Sequence, residues 1–319
     1  MNYSLILVET ASLKNNRLVL NSVTIVFTKN PWKVYKFTNQ IVIMKKITNA
    51  YYIGSEKRKG LIDLEIPANF NQKVIVFVHG YMGFKDWGAW NLMGDFFIEE
   101  GFGFCKFNLT HNGTTTDNPV DFIDLEAFAS NNYSKEKNDV QFALDWIENQ
   151  FENLPEIYLM GHSRGGGIVL LNGADTRIHA VITLASISSV QKRFADSKMI
   201  ETWKKNTIRL ITNQRTKQEM PHHFSQYEDF IEHQKELDIQ AAGKALKKPV
   251  CIIHGYDDSS VLIEEGIEIA DWTKTKLNII ENTDHVFGTS HPWNSKQMPE
   301  ALTKVCDIVL DFVDSVTNL

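Results

Sequence analysis

Cysteine is scarce in this chain. Its 319 residues contain three, Cys105, Cys251 and Cys306, which are far apart and odd in number. That argues against a disulfide framework and points to a reducing, cytoplasmic setting. Basic charge is also short. The 33 Lys and Arg are outnumbered by 39 Asp and Glu, for a net charge of −6, so no cationic excess is available for nucleic-acid phosphates. No apolar run approaches the roughly 20 residues of a membrane span. "SLILV" near the N-terminus is too short for a signal-peptide core and has no basic residue before it. Neither nucleic acid nor membrane is expected as a partner. His-Glu-x-x-His, paired Cys-x-x-Cys, Gly-x-Gly-x-x-Gly and a P-loop ending are all missing, so no metal and no cofactor is expected. There is no internal repeat and no low-complexity segment.

What is present is ordinary soluble composition, 43% hydrophobic and 23% charged, in a chain long enough for a sizeable core. "KVIVFVHG" (73–80) is a continuous apolar run ending in glycine, as expected of a strand buried on both faces. "FGFCKFNL" (102–109), "EIYLM" (156–160), "AVITLAS" (180–186), "PVCIIHG" (249–255) and "KLNIIEN" (276–282) repeat the pattern. Helical spacing of apolar residues marks 137–151 and the last eighteen or so residues. Strands alternating with helices predict an α/β fold with a mostly parallel central sheet flanked by helices. Residues 187–246 interrupt that rhythm between two late core strands and read as a lid insertion. Residues 1–43 read as an N-terminal extension: an appendage upstream of a start at Met44, or an extra hairpin on the sheet edge. Residues 44–319 form the main domain.

The chemistry centres on "YLMGHSRGGG" (158–167). A strand, then Gly161-His162-Ser163-Arg164-Gly165, then a helix is the setting of a nucleophile elbow, in which a sharp turn exposes the serine Oγ above the sheet. Gly161 and Gly165 are expected to lack side chains because a Cβ there would clash with the neighbouring strand or helix. Gly166 and Gly167 fit close helix–sheet packing. A serine nucleophile needs a base, and the base needs an orienting acid, later in the chain and just past strand ends. "VCIIHGYDDSSV" offers two aspartates, Asp257 and Asp258; "NIIENTDHVFG" offers His285, with His291 as its main competitor. His222 and His223 read as surface or pocket residues. The loop opened by His79-Gly80 is expected to supply one oxyanion-hole N–H, from Tyr81, and Arg164 the other.

From about Met44 onward the chain resembles a serine hydrolase of the α/β-hydrolase superfamily. "HGYMGFKDWG", "GHSRGGG", "HGYDDSSV" and "DHVFG" resemble its dienelactone-hydrolase-like and cinnamoyl (feruloyl) esterase-like branch, a neighbour of prolyl-oligopeptidase-type domains. In that branch the acid is the aspartate of a His-Gly-x-x-Asp-x-x-Val pattern. The resemblance therefore selects Asp258, framed by His254, Gly255 and Val261. Dienelactone hydrolases use a cysteine where Ser163 stands, so the likeness does not extend to that activity. The expected function is hydrolysis of small carboxylic esters through an acyl-enzyme, with Ser163, Asp258 and His285 as the triad. The alternatives are a peptidase or amidase, and a non-catalytic binding protein on the same fold. A homodimer is compatible with this reading. Trp203, Phe224 and Tyr227 in the insertion either shape a partly apolar pocket or pack the insertion onto the body.

Overall fold

The computed structural model describes the backbone of residues 10–14, 17–22, 32–37, 40–194 and 196–317, with side chains from residue 45 onward. The expected extension over residues 1–43 falls outside the residues described in full. Strands β1 (Thr10–Lys14) and β2 (Arg17–Ser22) form a separate antiparallel pair. Of strands β3 (Trp32–Phe37), β4 (Gln40–Ile53) and β5 (Lys59–Ile66), the middle one, β4, then pairs antiparallel with each of the other two. After them the chain alternates as expected: β6 (Lys73–Val78), helix α1 (Trp90–Glu99), β7 (Gly103–Phe107), α2 (Leu125–Ala129), α3 (Tyr133–Glu148), β8 (Glu156–His162), α4 (Arg164–Asn172) and β9 (Ile178–Leu184).

The 187–246 segment holds α5 (Ser197–Asn206), an antiparallel hairpin of β10 (Ile208–Thr212) and β11 (Glu219–His223), α6 (Ser225–Glu232) and α7 (Ile239–Ala245). The core resumes with β12 (Val250–Gly255), α8 (Ile263–Thr273), β13 (Leu277–Ile280) and α9 (Glu300–Thr317). Nine strands form one sheet in the order β13-β12-β9-β8-β6-β7-β5-β4-β3. The six from β13 to β7 are mutually parallel, and β5 joins β7 antiparallel. The insertion thus leaves the sheet after β9 and returns to the adjacent strand β12.

Alternation along β6 explains why its sequence is apolar without a break. Val74, Val76 and Val78 face one layer, with Val140 and Leu144 of α3 and Ile168 and Val169 of α4. Ile75 and Phe77 face the other, with Trp90, Met93 and Phe97 of α1 and Val305 and Val309 of α9. Successive strand side chains point to opposite faces, so a strand covered on both sides has no polar positions. The three cysteines are free and buried, as small apolar side chains would be. No described helix is long and apolar enough to cross a membrane.

Candidate active site

Ser163 sits where β8 turns into α4, with φ 57° and ψ −120°. A positive φ strains any residue that carries a Cβ. The turn is held in place by its surroundings: Ser163 N donates to Leu184 O (2.8 Å), while Ser163 O accepts from Gly166 N (3.0 Å) and Ile187 N (3.2 Å). The flanking glycines are required by contact. A Cβ on Gly161 would lie 2.3 Å from Gly165 O, and one on Gly165 would lie 2.4 Å from Val78 O. Gly167 now has its own reason, because a Cβ there would meet Ile187 and Ile239 side chains at 2.7 Å.

The two downstream partners meet beside it. His285 Nδ1 lies 2.7 Å from Asp258 Oδ2. Asp258 follows β12, and its other oxygen, Oδ1, accepts from the backbone N–H of Ser260 (2.8 Å) and Val261 (2.9 Å). Its side chain is completely buried. Burial alone would raise its pKa, but hydrogen bonds from His254 and His285, together with the His285 charge, hold the carboxyl well below the usual range. His254 Nε2 donates to Val261 O (2.9 Å) and stands 3.4 Å from Asp258 Oδ2, which stiffens the loop carrying the acid. Asp257, the other aspartate, is exposed. His291 is occupied elsewhere: Gly88 N donates to its Nδ1 (3.0 Å), and its ring packs on Phe84 and Trp87.

His162, beside the serine, is buried, and its Nε2 donates to the His285 carbonyl (2.8 Å). The two rings lie 4.7 Å apart. Burial, then the neighbouring His285, lowers the His162 pKa to about 3, so this ring stays neutral and acts as a fixed prop. His79 is likewise neutral, pushed down to about 4 by burial against the opposing bond to Gly80 O. Its Nδ1–H donates to Gly80 O (2.9 Å) and its Nε2 accepts from Leu109 N (3.1 Å), fixing the loop that carries Tyr81. Neither the Tyr81 N–H nor the Arg164 N–H has a hydrogen-bond partner among the described residues.

Ser163 and His285 line two cavities, one of about 400 Å³ and one of about 360 Å³. The first is walled by the insertion, through Arg193, Phe194, Arg209, Ile211, His222 and Gln226. Trp203, Phe224 and Tyr227 are absent from that wall. They are buried or half-buried in a ring cluster with Phe194 and Phe230, so their role is packing and the expected apolar pocket is not built from them. His222 is a cavity residue, its Nε2 2.7 Å from the Tyr81 hydroxyl; His223 is partly exposed and stands near Glu126.

Sequence reasoning missed the groups behind Arg164. Its guanidinium stacks 3.8 Å from the Tyr133 ring centroid, and its Nε donates to Glu136 Oε2 (2.7 Å). One sequence signal existed: Glu136 lies among the apolar positions of α3, with Tyr133, Val140, Ala143 and Ile147, where a carboxylate needs a partner. No group of three or more metal-ligating side chains occurs among the described residues.

The fold has known counterparts. No family model matches the chain, and no curated protein matches its sequence. Solved structures do. Est1E from Butyrivibrio proteoclasticus, in a structure with bound ferulic acid, matches with a TM-score of 0.62 and 18% identity, over 85% of this chain and 100% of its own. A putative hydrolase from Agrobacterium vitis S4 matches with a TM-score of 0.62 and 15% identity, over 89% and 100%. Dienelactone hydrolase from Anabaena variabilis matches with a TM-score of 0.56 and 16% identity, over 85% and 98%. The chain has the α/β-hydrolase fold. At these identities the likeness is one of fold. In an α/β-hydrolase fold, Ser163, Asp258 and His285 occur in the chain order expected for nucleophile, acid and base.

Proposed function

We propose that this protein is a hydrolase that cleaves carboxylic esters with Ser163 as nucleophile. The observation that carries the reading is the His285–Asp258 pair at 2.7 Å, facing the cavity that Ser163 lines from its positive-φ turn. His285 takes the Ser163 proton on Nε2 while Oγ attacks the ester carbonyl. Asp258 holds the proton on Nδ1 and stabilises the imidazolium that forms. The carbonyl oxygen, now negative, meets the unpartnered N–H groups of Tyr81 and Arg164, donors fixed before reaction. His285 returns its proton to the leaving alcohol, an acyl-serine remains, and water activated by the same imidazole releases the acid.

The two cavities that Ser163 lines suit the acyl and alcohol halves, and the 187–246 insertion contributes walls to both. The names of the structural neighbours, an esterase and hydrolases among them, support this reading. Fluorophosphonate labelling tests it. The wild type is labelled and Ser163→Ala is not; equal labelling of both removes Ser163 from the nucleophile role. Turnover of peptide anilides faster than of matched esters replaces the esterase with a peptidase.

A further inference from the structure

The two N–H groups assigned to the oxyanion belong to different elements, Tyr81 to the loop after β6 and Arg164 to the first turn of α4. An oxyanion between them is bound only as well as the gap between those elements is fixed. Backbone contacts and His79 fix part of it. Gly83 N donates to Gly80 O (3.1 Å), closing a tight turn with Tyr81 and Met82 at its corner. Gly80 packs on the elbow, where a Cβ would lie 3.0 Å from Ser163 Cβ. The corner itself is less secured. Met82 holds a positive φ of 52°, a conformation that persists only where the surroundings enforce it. Among the described residues, the hydrogen bonding of Tyr81 runs through its hydroxyl alone.

That side chain ties the corner down. The Tyr81 hydroxyl lies 2.7 Å from His222 Nε2, and its ring stacks on the His222 ring at 5.7 Å and rests on Phe128 at 5.9 Å. The Arg164 guanidinium lies 5.7 Å from the same Tyr81 ring and 3.8 Å from that of Tyr133. Contacts from Tyr133 through Arg164 and Tyr81 to His222 therefore join the two oxyanion residues side chain to side chain. One end rests on α3, the other on β11 of the insertion. His222 is itself held. It is buried, its carbonyl accepts from Trp203 Nε1 (2.8 Å), and its ring lies 5.2 Å from Phe128. Burial, then the Arg164 and Arg209 charges, lowers its pKa to about 3, so the ring stays neutral. Either neutral tautomer makes the bond, the hydroxyl donating to a bare Nε2 or accepting from Nε2–H.

Resting on the esterase reading, we infer that His222 is a positioning residue for the reaction. From the insertion, through the Tyr81 hydroxyl, it sets the place of the Tyr81 N–H against that of Arg164. The insertion then does more than wall the cavities: it completes the site that receives the oxyanion.

The purified full chain and 4-nitrophenyl acetate test this. Tyr81→Phe removes the hydroxyl and keeps the ring and the N–H. His222→Phe removes Nε2, and His222→Gln returns a polar group near that position. Tyr81→Phe and His222→Phe each lower kcat by about tenfold, less than the roughly 100-fold loss from a deleted donor. Acylation and deacylation both pass through an oxyanion, so KM stays within about twofold. The double variant is no slower than either single one, because both substitutions remove the same bond. His222→Gln recovers most of kcat. An alkyl trifluoromethyl ketone, whose adduct with Ser163 carries an oxyanion, binds about tenfold more weakly to both Phe variants. A packing defect alone would lower the urea midpoint without this selective loss; should His222→Phe fail to fold, His222→Leu replaces it in the cycle. Tyr81→Phe at wild-type kcat overturns the inference whatever the His222 variants do. Losses that add in the double variant, or a loss at Tyr81→Phe with none at His222→Phe, overturn it too. If esters are turned over through Ser163 and kcat ignores these substitutions, only this inference fails. If no ester is turned over and Ser163 is not labelled, the esterase reading fails with it.

Discussion

Asp258→Asn exchanges one oxygen for an amide nitrogen in a fully buried side chain, and the surrounding bonds dictate which oxygen is lost. Oδ1 accepts two backbone N–H groups, from Ser260 at 2.8 Å and Val261 at 2.9 Å. An asparagine must turn its carbonyl oxygen toward them, since its amide nitrogen cannot accept. The amide –NH₂ then occupies the Oδ2 position, 2.7 Å from His285 Nδ1. Both groups cannot donate across that gap. His285 therefore gives up its Nδ1 proton, accepts from the amide, and carries its proton on Nε2. That is the atom that must be empty to receive the Ser163 proton. A wrong tautomer of this kind lowers kcat by about 10⁴-fold, ~5 kcal/mol of barrier. Both backbone bonds survive, but the interactions of His254 and His285 with the carboxylate are lost, so some stability goes with them. The assay is steady-state hydrolysis of 4-nitrophenyl acetate, with urea unfolding as the control for folding. Asp257→Asn, at an exposed position, stays within about twofold of the wild type. A normally folded Asp258→Asn that retains more than a tenth of the wild-type kcat refutes the tautomer argument. So does an equal loss at Asp257.

Other expectations follow from packing and charge. Gly161→Ala places a Cβ against the Gly165 backbone at 2.3 Å; urea unfolding should show a loss of about 3 kcal/mol or more, and a neutral effect contradicts the elbow geometry. Glu136→Ala leaves Arg164 buried without its carboxylate, a loss of about 3–5 kcal/mol by the same measurement. Folded His79 and His162 titrate at about 4 and about 3, against 6.5 for the free side chain. Below pH 6.5 the unfolded chain binds protons that the folded chain refuses, so stability is full above that pH and falls as the solution is acidified. Each ring loses about 1.4 kcal/mol per pH unit in that window, roughly 4 kcal/mol for the pair by pH ~5. Urea midpoints at pH ~7 and ~5 that coincide would show that these rings are not buried neutral.

Much of the fold was legible in the chain because it depends on near neighbours. An unbroken apolar run such as 74–78, closed by glycine at 80, fits a strand covered on both faces. The glycines around Ser163 announced close backbone approach, and the structure supplies the atoms they approach. The site was legible in order but not in full. Two adjacent aspartates follow β12, and sequence spacing alone left both open. Burial separates them, with Asp258 turned inward onto His285 and Asp257 left in water.

The sequence by itself determined the alternation of elements and the glycine-flanked serine turn after β8, each a local pattern of apolar period and glycine placement. Only the tertiary structure decided what the cavity offers a substrate. Trp203, Phe224 and Tyr227 turned inward to pack the insertion, because burying aromatic surface outweighs leaving it at a cavity wall. Arg164, Arg193 and Arg209 were left to line it. The carboxylate partners of Arg164 and Arg193 come from α3 and α8, Glu136 and Glu265, 28 and 72 residues away in sequence. No local pattern carries that pairing. The insertion leaves the sheet after β9 and returns at β12, and its Arg193, Arg209 and His222 line one cavity together with Arg164 of α4.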